Sequence, residues 1–400
     1  MRSSMTATAC AMMLALSACG DQATKTVEAD PEVEGVATLE ADEIAAHRSG
    51  QASSTVRWNR QSTVLFRSRL IPGTPAPNFG RINAYLGLAQ YRAVLAAREA
   101  RHGRHEGRRP SLAGAAAGAS VLVLKQFYPL DAAVIDAELA AQSAELEGRP
   151  HRAAAFEAGE ALGREVAAAV LAEAATDNFG VAPLPPQPTG PGSWVSSGAP
   201  TVTGGFGARP FFLSSGDEIN SPPPPAFGSA EFLAALAEVR ALSDARTPEQ
   251  VAITAKWVPF SSVPFTDLAA DLVDRHYRGE RAAAKIFAYA NIAAYDAIIG
   301  CFHTKFTYWF IRPTQADPGI TLATGLPNHP SYPSGHSCQS GAWQGVLRDA
   351  FPSERRLINA TAAEASFSRV VGGLHYTFDG DEGLALGRRA AKLALQRGIE

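Results

Sequence analysis

Between positions 305 and 379 the sequence holds three groups of polar residues whose types suit one task. Lys305 is followed seven positions on by Arg312-Pro313; then comes Pro333-Ser334-Gly335-His336; then Ser368-Arg369, ahead of His375 and Asp379. Three cations, two histidines, a seryl hydroxyl, a glycine amide and a carboxylate are the groups needed to bind a tetrahedral oxyanion and bond one histidine to its central atom. At an effective dielectric near 20, one cation about 4 Å from an anionic oxygen contributes roughly 4 kcal/mol before desolvation. A histidine of ordinary pKa, about 6.5, serves as neutral nucleophile or protonated donor, so two can divide the work.

These groups must be brought together by the elements that carry them. If 305–312 is helical, the seven-residue spacing puts Lys305 and Arg312 on one face with Tyr308 and Trp309 between them, and Pro313 ends or bends the helix. Pro333-Ser334-Gly335 reads as a turn, with Ser334 as N-cap of a helix running through Ala342, Val346 and Leu347. Free amides, the positive end of a helix dipole and a hydroxyl then meet at one point, which suits an anion. Gly372-Gly373 breaks the third group, so one helix ends near Arg369 and another starts near His375. His375 and Asp379 are one helical turn apart, close enough for the carboxylate to support the imidazole.

The ordered set of lysine, six residues, Arg-Pro; Pro-Ser-Gly-His; and Ser-Arg, five residues, histidine, three residues, aspartate resembles the shared signature of the vanadium-dependent haloperoxidases and the type 2 phosphatidic acid phosphatase superfamily. The resemblance implies that Lys305, Arg312 and Arg369 neutralise the equatorial oxygens, with Ser334 and the Gly335 amide hydrogen-bonding to the oxyanion. It implies that His375 bonds to vanadium, or to phosphorus in a phosphatase, that His336 is the general acid/base, and that Asp379 supports His375. His329 matches the bromoperoxidase pattern, which implies a part in peroxide or halide handling; read from the chain alone, a loop histidine without chemistry is equally open. The segment 208–313, with Asp296 nine residues before Lys305, is similar to soluble bacterial relatives of the haloperoxidases, and more weakly so is 81–171. Asp296 is expected to form a salt bridge or a cap.

Elsewhere the chain reads as scaffold. It has 400 residues, 46% hydrophobic and 19% charged, and a net charge of -3, which gives no reason to expect nucleic-acid binding. The basic run 98–109 is mixed with glutamate and reads as a solvated helix end. The first 19 residues form a signal-type segment too short to span a bilayer, ending in Leu16-Ser17-Ala18-Cys19, which resembles a bacterial lipobox. That implies lipidation at Cys19, export and attachment to the cell envelope; a plain cleaved signal peptide is the alternative. Residues 20–60 read as a flexible tether. Alanine-rich helices are expected at 80–100, 112–126, 131–146 and 152–175, within an N-terminal helical region 61–177 that opens with an apolar stretch at 63–71. A Pro/Gly-rich segment, 178–228, is too proline-dense for helix or central strand, but its aromatic residues argue for an ordered loop lying over the bundle. A C-terminal helical region, 229–400, starts with helices at 230–242, 265–277 and 281–299, and Arg246-Thr247-Pro248-Glu249-Gln250 is a helix start with Thr247 as N-cap and Gln250 closing a capping box. No stretch past the signal has the ~18 consecutive apolar residues of a membrane span. Cys301 and Cys338 flank the motifs, either as a pair or as two buried thiols.

The fold expected is therefore all-α, a helical bundle with one long irregular segment. The resemblance implies a peroxidase with vanadate as cofactor and hydrogen peroxide, halide and an organic acceptor as small-molecule substrates. A phosphatase cleaving phosphate monoesters through a phosphohistidine, without cofactor, is the first alternative. A surface lipoprotein that kept the fold without turnover is the second. His-Glu-x-x-His, P-loop and Gly-x-Ser-x-Gly patterns are absent, and the histidines at 102, 105, 151, 276 and 303 lack ligand spacing.

Overall fold

A computed structural model of the chain describes residues 53–71, 76–102, 109–181, 183–201, 205–259 and 261–399. The signal segment, Cys19, most of the tether and half of the basic run, 103–108, lie outside the described residues. Those described form thirteen α-helices and no strand; one isolated antiparallel bridge joins Ser193 to Phe310. The chain is all-α, as expected from its alanine-rich periodicity.

The first helix, α1 (Ser54–Ser68), corrects the tether boundary at residue 60. Ser53 caps it, and the Glu280 carboxylate accepts from the Ser54 and Thr55 amides at 2.8 and 2.7 Å, satisfying the free N–H groups of its first turn. Its inner face buries Thr55, Asn59, Ser62 and Thr63 along with Val56, Trp58, Leu65 and Phe66. Those buried polar residues hide the apolar period that would mark the helix in the sequence.

Next come α2 (Phe79–His102), α3 (Leu112–Phe127), α4 (Ala132–Ala144) and α5 (Pro150–Ala174). α3 and α5 touch backbone to backbone: a Cβ on Gly118 would lie 2.1 Å from the Glu160 carbonyl, and one on Gly163 2.1 Å from that of Ala115. After the irregular segment follow α6 (Ala230–Asp244), α7 (Pro248–Lys256) and α8 (Ser262–Arg275). Thr247, Pro248 and Gln250 form the capping box read from the sequence.

α9 (Glu280–Tyr308) is the axis of the molecule and packs on α2, α11 (Gly335–Ala350) and α13 (Thr377–Arg397). It is long and apolar enough to cross a membrane by length and composition, but 94% of its apolar window is buried inside the fold, so it serves here as the core helix. The remaining helices are α10 (Pro313–Ala316) and α12 (Arg355–Val371).

The described parts of 178–228 hold no regular element and are anchored on α9. Asp296, fully buried, accepts from the Phe211, Phe212 and Leu213 amides at 2.9, 2.6 and 3.2 Å, so its role is that of a cap on irregular chain. Trp194, 2% exposed, stacks on Trp309 with ring centroids 6.1 Å apart. The Trp194 amide donates to the Trp309 carbonyl at 2.6 Å and the Ile311 amide to that of Gly192 at 3.0 Å.

Candidate oxyanion site

Lys305 lies in the last turn of α9, but Arg312 does not share its helix. α9 stops at Tyr308 because Trp309 turns left-handed, with φ 47°, and the next residues are drawn into the bridge with Ser193. Arg312 is extended, as a residue before proline tends to be, and Pro313 opens the short α10 instead of ending a helix. The two cations converge from a helix end and from a strand-like turn.

Ser334 caps α11 as read from the sequence, its hydroxyl 3.4 Å from the Ser337 amide. α12 ends at Val371, and Gly373, at φ 77°, turns the chain back. His375 then sits two residues before α13, and Asp379 in its first turn, so their contact is made across a helix start and not along one helix. α11 and α13 are fixed by backbone contact: a Cβ on Gly387 would lie 2.1 Å from the Cys338 carbonyl, and one on Gly383 2.7 Å from that of Ser334. Glycines thus bring the Pro-Ser-Gly-His turn against the His375–Asp379 turn.

His375, Asp379, Arg312 and His329 form one connected group. His375 Nδ1 donates to Asp379 Oδ2 at 2.8 Å, and its Nε2 accepts from Arg312 Nη1 at 3.1 Å. Arg312 Nη2 lies 3.0 Å from His329 Nδ1, which also lies 3.1 Å from the Pro330 carbonyl. Arg312 also binds the carbonyls of His329 at 3.0 Å and Leu374 at 2.7 Å. His329 is buried and meets Phe302 edge-on, which makes it part of the site wall and rules out a surface position. Ser331, which the sequence reading passed over, donates to Asp379 Oδ2 at 2.6 Å. The other oxygen, Oδ1, is buried without a partner.

Lys305 points its ammonium at the carbonyls of Pro330, Ser331 and Pro333, at 2.8, 2.7 and 2.5 Å. It therefore fixes the loop carrying Ser334 as well as supplying charge. Arg369 donates through Nε to Ser368 Oγ at 2.9 Å and through Nη2 to the Thr254 carbonyl at 2.8 Å. His336 places Nε2 2.8 Å from the Trp257 carbonyl, and Gly335 and His336 form a partly exposed edge of the site. No hydrogen bond joins Arg369, Ser334 or His336 directly to His375 or Arg312, but the charges of Arg369, Lys305 and Arg312 all act on the His336 ring. Cys301 and Cys338 are buried free thiols, with Cys301 Sγ 3.7 Å from the Pro333 carbonyl.

Burial governs the electrostatics. It lowers Lys305 to about 8, and Arg312 and Arg369 each to about 10. Burial, reinforced by neighbouring cations, holds His329, His336 and His375 well below 6.5, so all three are neutral near pH 7. Burial raises Asp379 to about 6 against the pull of its Ser331 hydrogen bond and the cations. Lys305 and Arg312 act on the Asp379 carboxylate, and Arg369 is a third buried cation without a carboxylate partner, so the three carry a surplus of two positive charges that a multiply charged anion would relieve. An unprotonated imidazole nitrogen stands beside them. That donor set fits vanadate as it fits phosphate: charge for the oxygens and a lone pair for the central atom.

Residues 284–397 match the family model of the PAP2 superfamily. A vanadium-dependent bromoperoxidase of Ascophyllum nodosum is 35% identical across an aligned stretch covering 16% of this chain and 17% of the relative, so the match spans under a fifth of that protein's length. Among solved structures, a bacterial vanadium-dependent iodoperoxidase superposes with a TM-score of 0.70 at 21% identity, covering 86% of this chain and 95% of its own. A holo-type bacterial vanadium-dependent chloroperoxidase gives 0.61 at 16%, covering 80% and 91%. At such identities the likeness is one of fold.

Proposed function

From a chain that has the fold of the vanadium haloperoxidases, and in which 284–397 is a PAP2-superfamily region, we propose a vanadate-dependent haloperoxidase that oxidises halide with hydrogen peroxide. The observation that carries the reading is His375: its proton is held on Nδ1 by Asp379, so Nε2 is unprotonated and turns its lone pair to the Arg312 guanidinium. Lys305, Arg312 and Arg369 hold the oxyanion's charge, Ser334 and the Gly335 amide orient it, and His375 ligates its central atom through Nε2. His336 would give or take the proton at the bound oxyanion, and His329 braces Arg312 in the wall of the site. Bound vanadate would supply a Lewis-acid centre that activates peroxide without changing oxidation state. The organic acceptor is a small molecule, and the lipobox resemblance at Cys19 supports an exported, envelope-anchored enzyme.

The PAP2 match favours a second reading on the same residues, in which His375 attacks the phosphorus of a monoester and His336 protonates the leaving alcohol. One assay separates them. Phosphate-free protein is given hydrogen peroxide, bromide and a phenolic dye, with and without orthovanadate, beside a phosphate monoester. Vanadate-dependent bromination supports the peroxidase; monoester hydrolysis inhibited by vanadate, without bromination, moves the chain to the phosphatases. Silence in both supports the lipoprotein without turnover.

A further inference from the structure

α7 contributes no residue to the three motifs, yet its C-terminal end reaches the site twice. The last carbonyls of a helix have no intrahelical partner. Here Thr254 gives its carbonyl to Arg369 Nη2 at 2.8 Å, and Trp257, the residue capping α7, gives its own to His336 Nε2 at 2.8 Å. α7 in turn is fastened along α12. Glu364 accepts from Lys256 Nζ at 2.6 Å and from the Trp257 indole N–H at 2.9 Å, while the Thr254 hydroxyl donates to the Ser368 carbonyl at 3.3 Å. The Trp257 ring is fully buried, 5.9 Å from Phe265, which stacks on Trp343. Side chain and carbonyl belong to one residue, so anchoring the indole fixes where the carbonyl points.

A carbonyl oxygen only accepts, so the nitrogen facing it must carry the proton. We infer that Trp257 is a positioning residue for His336: its carbonyl takes the Nε2 proton, fixes the neutral ring as the Nε2–H tautomer and leaves Nδ1 as the nitrogen that exchanges protons. Glu364 is the anchor of that arrangement. The tautomer assignment stands on geometry alone; only the use of Nδ1 in turnover rests on the proposed function. In that step Nδ1 accepts a proton from the group entering the site and returns it to the group leaving, with no net change at Nε2.

The test uses protein labelled with ¹⁵N-histidine, with the His336 signals assigned by their loss in His336→Gln. In the wild type near pH 7.5, Nε2 is expected to give a pyrrole-type shift and Nδ1 a pyridine-type shift. Glu364 lies at the surface of the fold, so Glu364→Ala should fold; it should give a mixture of tautomers and lower kcat roughly tenfold, with orthovanadate affinity within about threefold of wild type. Glu364→Gln keeps an acceptor for the indole and is expected to restore both signals. A proton on Nδ1 in the wild type, or a wild-type tautomer ratio in Glu364→Ala, overturns the inference. An inactive protein with the expected shifts would instead count against the enzymatic reading and leave Trp257 in place.

Discussion

His375 stands between Asp379 and Arg312, with Nδ1 2.8 Å from the carboxylate and Nε2 3.1 Å from the guanidinium. The carboxylate fixes the tautomer, and the guanidinium opposes a second proton on the ring. Burial and the neighbouring cations act in the same direction, keeping the ring neutral. A histidine so placed offers a lone pair at every pH near neutrality, which either proposed chemistry requires.

His375→Ala is therefore expected to abolish both bromination and monoester hydrolysis while leaving the helical circular dichroism unchanged, because the ring lies before α13 and not within it. Retained turnover would remove His375 from the mechanism.

Ser331 tests the carboxylate. Its hydroxyl at 2.6 Å is one of the hydrogen bonds holding Asp379 down, and Asp379 still sits at about 6. Ser331→Ala removes a donor to the ionised form, so the carboxyl rises further and protonates at higher pH. The acid limb of the kcat/KM profile is expected to move up by about one pH unit, while activity near pH 8 is retained. An unmoved acid limb would separate Asp379 from that titration.

Lys305 gives the opposite limb. Its folded pKa of about 8 lies below the ordinary 10.5, so between those values the unfolded chain binds the extra proton and unfolding free energy rises with pH. Below pH 8 the buried charge costs stability, and an anion beside it relieves that cost. Phosphate at 100 times its Kd should stabilise the fold by about 2.7 kcal/mol. At one fixed phosphate concentration, the rise in Tm is expected to be largest near pH 7 to 8 and to shrink as the pH passes through 8. A phosphate-induced shift constant from pH 7 to 10 would show that Lys305 is not a counter-charge.

What the sequence made legible were local rules with local causes. Thr247, Pro248 and Gln250 marked a capping box, Ser334 marked an N-cap and Gly373 marked a turn, and each depends on neighbours within a few residues. Where a distant segment decides, the reading fell short. Trp309 turns left-handed beside chain that pairs with Gly192 and Ser193, so the helix expected to reach Arg312 stops four residues earlier. α1 was hidden because Glu280, more than two hundred positions away, satisfies its start. The Trp257 carbonyl had no signal at all, since any residue carries a carbonyl. The motif residues themselves stood out because their types are costly to bury without a charge to meet.

The spacing between the second and third motifs depends on Gly383. α13 presses on the start of α11 so closely that a Cβ at this position would lie 2.7 Å from the Ser334 carbonyl and 2.7 Å from Ser337 Cβ. The carbonyl is backbone and belongs to the residue that caps α11, so relief requires the two helices to part. Gly383→Ala is expected to cost about 1–3 kcal/mol of stability, as overpacking in a filled core does, although alanine alone would favour the helix. The parting also moves Ser334 and Gly335 away from His375 and weakens the hold on an anion, so at one fixed phosphate concentration phosphate should stabilise the variant less than the wild type. Gly148, on the same chain but with open space around its Cβ, provides the control for glycine replacement in general, with its own left-handed φ of 74° as the only strain. If Gly383→Ala lost stability but kept the full phosphate effect, the helix contact would support the fold without setting the geometry of the site.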